Sequence, residues 1–442
     1  MTEPVKPGKP ATNKPPRRAI TLGGGGPAAG LHIGVLEALA AKNITFDVWA
    51  LSCIGAWVGI VYNQFDKDQV EQTYQFFRDG VFRDDESYKR FPINTVFGPD
   101  WRSNIEAFNN FVTEPDNYND FRWQPYRMMD YVQESMSILF DHLPGRDKPF
   151  KKWDEGDFNR WILNQVMAPN PFVRYLTSMM YLSNVNGLSR INYPDSEFMK
   201  KINFEKLLKK EDTFIFHNAW NLDDQQLALF SNHPMEKTNK EYKGPISART
   251  LCACSALPFI EGTVEIDGIT YCEGALVDTV NFESLIEEHG DKLDEIWVSR
   301  IVDSKQIRKP ENLHDALANL CQLFAATVGE DDVKLFKYHV RYDHPGKEAW
   351  KGMVVEVHVP GHINFKWNHS NLDDGRKLGR AAAQQAIAAY DEHIAARKEH
   401  KDKPKDGPHF INENPEKDSR WRRLRDQHLE RAAVQRQGKG AL

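Results

Sequence analysis

Short apolar runs alternate with longer apolar segments in the first part of the chain. The run AITL (19–22) precedes GGGGPAAG and LHIGVLEALAAK, and FDVWAL (46–51) precedes SCIGAWVGIVYNQF. Strand, glycine-rich turn, helix, strand, sharp turn and helix is the order expected of a parallel α/β sheet. The segment around Leu31–Leu39 is apolar on nearly every side, which predicts a helix buried against that sheet.

Further strands and a closing helix extend this pattern. Strands are predicted at TFIFH (213–217), at VEI and ITYC on either side of Asp267-Gly268, at DEIWVSRI (294–301) and at MVVEVHV (353–359). Asp-Gly between two β-rich runs is typical of a type I′ hairpin. A long helix over roughly 373–398 closes the body, and the predicted fold class is α/β with a mainly parallel central sheet.

Charge and proline content divide the chain into three parts. Residues 1–18 carry a net charge of +4 and five prolines, which predicts a disordered basic tail. Residues 401–442 form a second basic tail of net +4 that can be helical. Because the whole chain has a net charge of −6, the predicted α/β domain over 19–400 carries −14. The tails are candidates for docking to a protein partner or to a membrane surface, although membrane attachment needs a broader apolar face than the C-terminal helix offers.

An aromatic-rich stretch over 66–205 interrupts the domain. It contains YQFFRDGVF, FGPDWRSNIEAFNNF and YNDFRWQPYRMMDY, and we predict a helical insertion there. Its aromatic residues are either ordinary core or a cap over an apolar substrate cleft, since ligand clefts are lined mainly by such side chains.

Charge and hydropathy exclude several classes of protein. The 442 residues contain 57 Lys and Arg against 63 Asp and Glu, whereas a nucleic-acid binder usually has a strongly basic domain. No apolar run approaches the roughly 18 residues of a membrane-spanning helix. The opening residues also lack the apolar core of a secretory signal.

Cysteine content bears on location and on metal binding. Five cysteines are too few and odd in number for a disulfide framework, which favours a reducing, cytoplasmic location. Cys252 and Cys254 lack partners at zinc-ligand spacing, so we expect no metal site, and no cofactor is predicted.

The first candidate site segment is the glycine run that includes Gly24, Gly25 and Gly26. Glycines between a strand and a helix let the backbone approach a ligand, and the free N–H groups there can hold a phosphate or the oxyanion of an acyl-transfer intermediate. Gly24-x-Gly26-x-x-Ala29 also fits a loose dinucleotide-binding motif. That motif requires an acidic residue at the carboxyl end of the next strand, and Asp47 lies at the opposite end.

The second segment, WALSCIGAWVG, has the form of a nucleophile elbow, in which a reactive residue with small neighbours occupies a tight strand-to-helix turn. Cys53 has Gly55 two positions after it but Leu51 two positions before it, and Ser52 fits no better. Gly55 and Gly59 indicate the close-packing face of the following helix and favour Cys53 as the nucleophile. A thiol at a helix N-terminus is expected to have a lowered pKa. The alternative is a buried structural cysteine beside a helix-capping Ser52.

The third segment places Glu273 at the end of a hairpin strand, directly before Gly274. A carboxylate at such a position can face a cleft and act as general base for a hydroxyl or thiol nucleophile.

These segments together resemble the patatin-like phospholipase family, also called patatin-like acyl hydrolases. The resemblance rests on three ordered blocks, GGGGPAAGLHIGVLEAL (23–39), LSCIGAWVG (51–59) and CSALPF…ITYCEGALVD (254–278), and on DDGRKLGRAAAQQAI near the end. It implies a three-layer α/β/α fold and attack on an ester carbonyl. Because a cysteine nucleophile makes thioester chemistry and acyl transfer an option beside hydrolysis, the expected substrate is a lipid-like ester or an acyl thioester.

The resemblance also implies roles for individual residues. Gly24, Gly25 and Gly26 match the family's oxyanion-hole glycines, Cys53 matches its nucleophile, and Glu273 matches its dyad acid. Ser52, Gly55 and Gly274 are possible supporting residues. Family members use a serine–aspartate dyad without a histidine, so this chain has cysteine for serine and glutamate for aspartate. Further departures are Leu51 and Ala275 in place of glycines, and Pro27-Ala28-Ala29 where an arginine is usual.

Three functional hypotheses follow. The leading one is an acyl hydrolase or acyltransferase that forms a covalent acyl-enzyme on Cys53, with Glu273 as base. The second is a catalytically silent protein of the same fold that binds lipid or a protein partner. The third is a hydrolase that depends on a late histidine, His339, His358 or His362, whereas His32 is interpreted as structural.

Overall fold

A computed structural model describes residues 15–92, 97–115, 171–191, 196–300, 306–342, 350–359, 364–399 and 408–413, together with six isolated residues (133, 156, 159, 160, 163 and 302). The strands are β1 Arg18–Leu22, β2 Val48–Leu51, β3 Phe97–Pro99, β4 Gly187–Ile191, β5 Phe214–Asn221, β6 Gln226–Ser231, β7 Tyr242–Pro245, β8 Phe259–Glu261, β9 Val264–Ile266, β10 Ile269–Glu273, β11 Glu295–Arg300, β12 Met353–His358 and β13 His409–Ile411. The helices are α1 Ala29–Ala41, α2 Ile54–Asn63, α3 Gln69–Gly80, α4 Asp85–Arg90, α5 Trp101–Thr113, α6 Pro171–Leu182, α7 Glu197–Lys200, α8 Phe204–Leu208, α9 Ala248–Cys254, α10 Phe282–His289, α11 Leu313–Tyr342 and α12 His369–Glu399.

Ten strands form a mixed, mainly parallel sheet. Its order is β13-β12-β11-β1-β2-β5-β10-β9, and β6 and β7 extend from β5. The neighbours from β13 through to β5 all run parallel, whereas β10 and β6 are antiparallel to β5. The predicted α/β class with a mainly parallel sheet is confirmed.

Helices cover both faces of this sheet. Alternate residues of a strand point to opposite sides, so the buried strands present side chains to a helix layer on each face. On one face, Ile296 and Val298 of β11 belong to a buried core that also contains Phe282 of α10 and Phe336 of α11. On the other face, the ring of Trp297 lies 5.2 Å from that of Tyr390 on α12. The result is three layers, helix, sheet and helix.

The helices α1 and α12 pack with their backbones in contact. A Cβ placed on Gly34 would lie 2.0 Å from the carbonyl oxygen of Arg376, and one on Gly379 would lie 2.0 Å from that of Leu31. Beside this contact, Glu37 accepts hydrogen bonds from Arg376 (2.9 Å) and Arg380 (2.6 Å). Glycine is therefore required at these positions for the helices to come this close.

The predicted hairpin at Asp267-Gly268 is confirmed. Both residues have positive φ, +52° and +80°, as a type I′ turn requires.

The boundaries of the predicted tails need correction. Arg18 belongs to β1, where its guanidinium donates to Glu295 at 2.7 Å, and His409–Ile411 form β13 beside β12. The strand β13 was missed because three residues within a charged stretch carry too little pattern to identify a strand. The predicted C-terminal helix lies outside the described residues.

The chain forms two compact units. The first comprises residues 1–96, 193–255 and 265–442, and the second comprises 97–192 and 256–264. Within the second unit β3, β4 and β8 form a small sheet. In that unit Phe108 and Phe111 of α5 pack edge-on against Tyr175 of α6. The parts of the predicted insertion over 66–92 and 196–205 belong to the first unit, and its role as a cap stays a prediction.

None of the helices in the described ranges is long and apolar enough to cross a membrane. The described residues also contain no group of three or more His, Cys, Asp or Glu side chains placed to hold a metal ion.

Candidate active site

The glycine turn after β1 brings backbone next to Cys53. A Cβ on Gly24 would lie 3.1 Å from the Ala275 methyl group and 3.2 Å from the Cβ of Cys53. Gly26 has a φ of +58°, and a Cβ there would lie 2.6 Å from the ring of Phe365. Gly25, between them, is half-buried. A side chain at Gly24 or Gly26 would crowd the space beside the turn, which explains why glycine occupies both positions.

His32 holds this turn from behind. Its Nε2 lies 2.9 Å from the Gly23 carbonyl oxygen, and its Nδ1 lies 2.9 Å from the Ser299 hydroxyl. Complete burial lowers the pKa of His32 to about 4, so the ring is neutral. Because a carbonyl can only accept, Nε2 carries the proton and the Ser299 hydroxyl donates to Nδ1. The interpretation of His32 as structural agrees with these contacts.

Cys53 occupies a strained turn between β2 and α2. It has a φ of +49° and a ψ of −125°, a conformation rare for any residue with a side chain. The turn is tight because α2 packs closely on the strands: a Cβ on Gly55 would lie 2.1 Å from the Leu22 carbonyl oxygen, and one on Gly59 would lie 2.5 Å from a methyl carbon of Leu51. Both glycines therefore lie on the close-packing face, as predicted, and the geometry is that of a nucleophile elbow.

Ser52 points away from the turn into the protein. Its side chain is fully buried and donates to Oδ1 of Asn218 at 3.0 Å, while it accepts from Nδ2 of Asn281 at 2.8 Å. A hydroxyl held in this way has no access to a substrate. Of the two candidate nucleophiles, only Cys53 points towards Glu273.

Sheet register brings Glu273 to the level of Cys53. On β5, His217 lies opposite Leu51 of β2, and Ala219, two residues further on, lies opposite Glu273 of β10. The two side chains accordingly meet beside Gly24, where an added Cβ would lie 3.2 Å from the Cβ of Cys53 and 3.8 Å from Oε1 of Glu273, and each shifts the pKa of the other. Both side chains are nearly buried, with 9% and 6% of their surfaces exposed.

Burial shifts the pKa values of both members of this pair upwards. It raises the pKa of Glu273 to about 7, because the charged carboxylate loses its hydration. Burial also raises the pKa of the Cys53 thiol, and the negative charge of Glu273 adds to the effect. The expectation of a lowered thiol pKa is therefore wrong: the hydrogen bond from the Ile54 amide favours the thiolate, but its effect is smaller than that of burial.

Two polar features of the site were missed in the sequence. The backbone N–H of Cys53 donates to the sulfur of Cys254, 3.1 Å away, at the end of α9. Asn218 lies beside Gly274, where an added Cβ would be 2.8 Å from its Oδ1. The only available signal was an asparagine inside the apolar strand sequence FIFHNAW.

Two of the three late histidines lie within the described residues. His339 is exposed on α11, and Nε2 of His358 lies 2.6 Å from the carbonyl oxygen of Asn412, at the end of β12. His362 lies outside the described residues.

Comparison with known proteins adds to this geometry. A model of the patatin-like phospholipase family matches residues 20–286, well over half of the chain. The chain belongs to the patatin-like phospholipase family. Members of this patatin-like family are typically lipid acyl hydrolases. The patatin-like match begins inside β1 and ends in α10, so it spans the glycine turn, the Cys53 elbow and Glu273.

The crystal structure of VipD from Legionella pneumophila is also similar to this patatin-like chain. The match has 12% sequence identity and a TM-score of 0.36, and it covers 84% of this chain and 67% of that one. A search of curated proteins finds no match.

Proposed function

We propose that the protein is an acyl hydrolase or acyltransferase that forms a covalent acyl-enzyme on Cys53. The substrate is a lipid-like ester or an acyl thioester, in keeping with the lipid substrates of the family. The observation that carries the proposal is the buried pairing of Cys53, on a strained elbow, with Glu273. Both side chains lie beside Gly24, where an added Cβ would be 3.2 Å from the Cβ of Cys53 and 3.8 Å from Oε1 of Glu273.

The first half-reaction forms the acyl-enzyme. As the sulfur of Cys53 attacks the carbonyl carbon, its proton passes to the Glu273 carboxylate. The carbonyl oxygen becomes an oxyanion, which the backbone N–H groups of Gly24, Gly25 and Gly26 stabilise. When the tetrahedral intermediate collapses, the alcohol or thiol leaving group departs with the proton held by Glu273.

The second half-reaction frees the enzyme. Glu273, again a carboxylate, takes a proton from water or from another nucleophile as that nucleophile attacks the thioester. Collapse of this intermediate returns the proton to the Cys53 sulfur and releases an acid or a transferred acyl group. A thioester is more open to nucleophiles other than water than an oxygen ester is, so transfer and hydrolysis both fit the site.

The order of the two pKa values indicates when the proton moves. The pKa of the Cys53 thiol is raised well above its usual range, whereas that of Glu273 is about 7. At neutral pH the Cys53 thiol is therefore protonated, and about half of the Glu273 groups are carboxylates that can act as base. Proton transfer must accompany the attack on the carbonyl, which makes Glu273 a general base rather than a group that maintains a thiolate.

Mass spectrometry tests the proposal. Incubation with a long-chain acyl thioester or a p-nitrophenyl acyl ester should add one acyl mass to the chain, and peptide mapping should place it on Cys53. Cys53→Ala should show no adduct, and Glu273→Gln should form it far more slowly. An adduct on Ser52 would overturn the choice of nucleophile. A folded protein with neither adduct nor turnover would instead favour the catalytically silent binding protein.

A further inference from the structure

The Asn218 side chain lies between the two segments that carry the proposed catalytic pair. Asn218 is on β5, and β5 pairs with β2 on one side and with β10 on the other. The strand β2 leads into Cys53, and β10 ends at Glu273. From this placement we infer that Asn218 is a positioning residue, one that fixes the Cys53 turn relative to the Glu273 turn. The inference rests on the proposed function.

One amide group contacts both turns. Its Oδ1 accepts from the hydroxyl of Ser52 at 3.0 Å, and its Nδ2 donates to the carbonyl oxygen of Asp278 at 2.6 Å. It also packs against Gly274, where a Cβ would lie 2.8 Å from Oδ1. Asn218 thus contacts the residue before the nucleophile, the residue after the base and the loop that follows the base.

Each hydrogen bond in this cluster has only one possible donor and one possible acceptor. Because the Asp278 carbonyl can only accept, the amide nitrogen of Asn218 must face it and the amide oxygen must face Ser52. Ser52 therefore donates to Asn218, with the Asp278 carbonyl 3.3 Å away as a second acceptor. Asn281 in turn donates to Ser52 at 2.8 Å and to the Leu51 carbonyl at 3.0 Å.

This chain of donors from Asn281 through Ser52 to Asn218 is fully buried. A buried polar group that loses its partner destabilises the fold, so each member constrains the position of the next. The constraint matters because the backbone of Cys53 is strained and persists only where its surroundings determine it.

Asn218 is expected to affect the chemical step rather than substrate binding, since its amide contacts the two turns from inside the protein and is fully buried. A small misplacement of the sulfur from the carboxylate lowers the rate steeply, because proton transfer and attack need aligned groups. Loss of the positioning contacts should therefore lower kcat and leave KM nearly unchanged.

The matched control is Asn232, a buried asparagine after β6 that makes the same kind of contacts away from the site. Its Oδ1 accepts from the Ile215 amide at 2.8 Å, and its Nδ2 donates to the Thr213 carbonyl at 2.8 Å. Asn218→Asp and Asn232→Asp keep side-chain size and the acceptor oxygen, and both remove the amide donor. Both should lower thermal stability to a similar extent.

The experiment compares turnover of a p-nitrophenyl acyl ester by the wild-type chain and these variants. Asn218→Asp should lower kcat by about 10- to 100-fold with KM within about twofold, whereas Asn232→Asp should keep both constants near wild type. Equal kcat for the two variants, or a loss confined to KM, would overturn the inference. Should Asn218→Asp fail to fold, Ser52→Ala removes the hydroxyl donor and should give the same kcat loss, and an unchanged kcat would overturn the inference.

Cys53→Ala, assayed alongside, separates the two claims. Full turnover in Cys53→Ala means that the proposed function has failed. An inactive Cys53→Ala together with a wild-type kcat in Asn218→Asp means that only the role of Asn218 has failed.

Discussion

Replacement of Glu273 by glutamine should remove a pH-dependent rise in activity. Burial raises the pKa of Glu273 to about 7, and the group can act as base only when ionised. The ionised fraction is about 0.09 at pH 6 and about 0.91 at pH 8 for such a pKa. The rate constant for acylation by the wild-type enzyme should therefore rise about tenfold between these two pH values.

Glutamine keeps the size of the side chain and can still accept a hydrogen bond from the thiol, but it cannot take the proton. Loss of a general base typically costs about 10²- to 10⁴-fold in rate. Glu273→Gln should show a loss of this order at pH 8, and the tenfold rise should disappear. The assay is the burst of p-nitrophenol released in a stopped-flow experiment, because the burst reports acylation rather than deacylation.

A control is needed because two nearby carboxyl groups titrate in the same range. Burial raises the pKa of Asp278 to about 6 and that of Asp332 to about 7, and Asp332 accepts a hydrogen bond from the Thr279 amide at 2.8 Å. Asp332→Asn should retain the tenfold rise. A flat wild-type profile between pH 6 and 8, or a rise that survives in Glu273→Gln, would refute the assignment of Glu273 as the base.

Three further predictions follow from the same contacts. Burial raises the folded-state pKa of Glu273 from 4.5 to about 7, so the ionised carboxylate destabilises the fold most strongly above pH 7. In urea denaturation at pH 8, Glu273→Gln should therefore be more stable than wild type by about 3 kcal/mol, and this gain should fade as pH falls from 7 to 4.5. Equal stability at pH 8 would contradict the prediction. Gly34→Ala should destabilise the fold by about 3 kcal/mol or more, since its Cβ would lie 2.0 Å from a backbone oxygen. Gly329→Ala should cost little, because its Cβ would meet only side-chain atoms, of Arg300 at 3.1 Å and of Thr279 at 3.7 Å, and alanine favours the helix; similar denaturation midpoints for the two variants would count against the α1–α12 contact. Cys254→Ala leaves the buried Cys53 amide without its acceptor, so it should lower stability by about 1–3 kcal/mol and also lower the acylation rate. Cys254→Ser restores an acceptor and should recover the stability, and no recovery in a folded serine variant would contradict this.

The sequence allowed the framework of the site to be predicted because local pattern determines it. Apolar periodicity located β1, α1, β2 and α2, and the glycines at 24, 26 and 55 lie where the backbone must turn or approach closely. Such features depend on neighbours in the chain. The same local information placed Cys53 and Glu273 at the ends of strands.

What could not be predicted depends on register and burial. Asn218 joins the two turns only because His217 pairs opposite Leu51 while Ala219 pairs opposite Glu273. The pKa of Cys53 was expected to fall because a helix N-terminus is visible in sequence, whereas the depth of burial that raises it is not. Similarly, β13 is recognisable only through its pairing with β12.

The backbone contact between α1 and α12 joins two elements that the ribosome makes at very different times. The strand β1 has β2 and β11 as neighbours, and α1 is covered by α12, so early elements wait for partners made some 250 to 350 residues later. A chain that stops at residue 286 would keep the pairing of β1 with β2 but would leave the β11 side of β1 unpaired and the Gly30–Gly34 face of α1 open to water. Unpaired edges and exposed apolar faces promote aggregation. The nascent chain should therefore be prone to aggregation until β11 and α12 have left the ribosome.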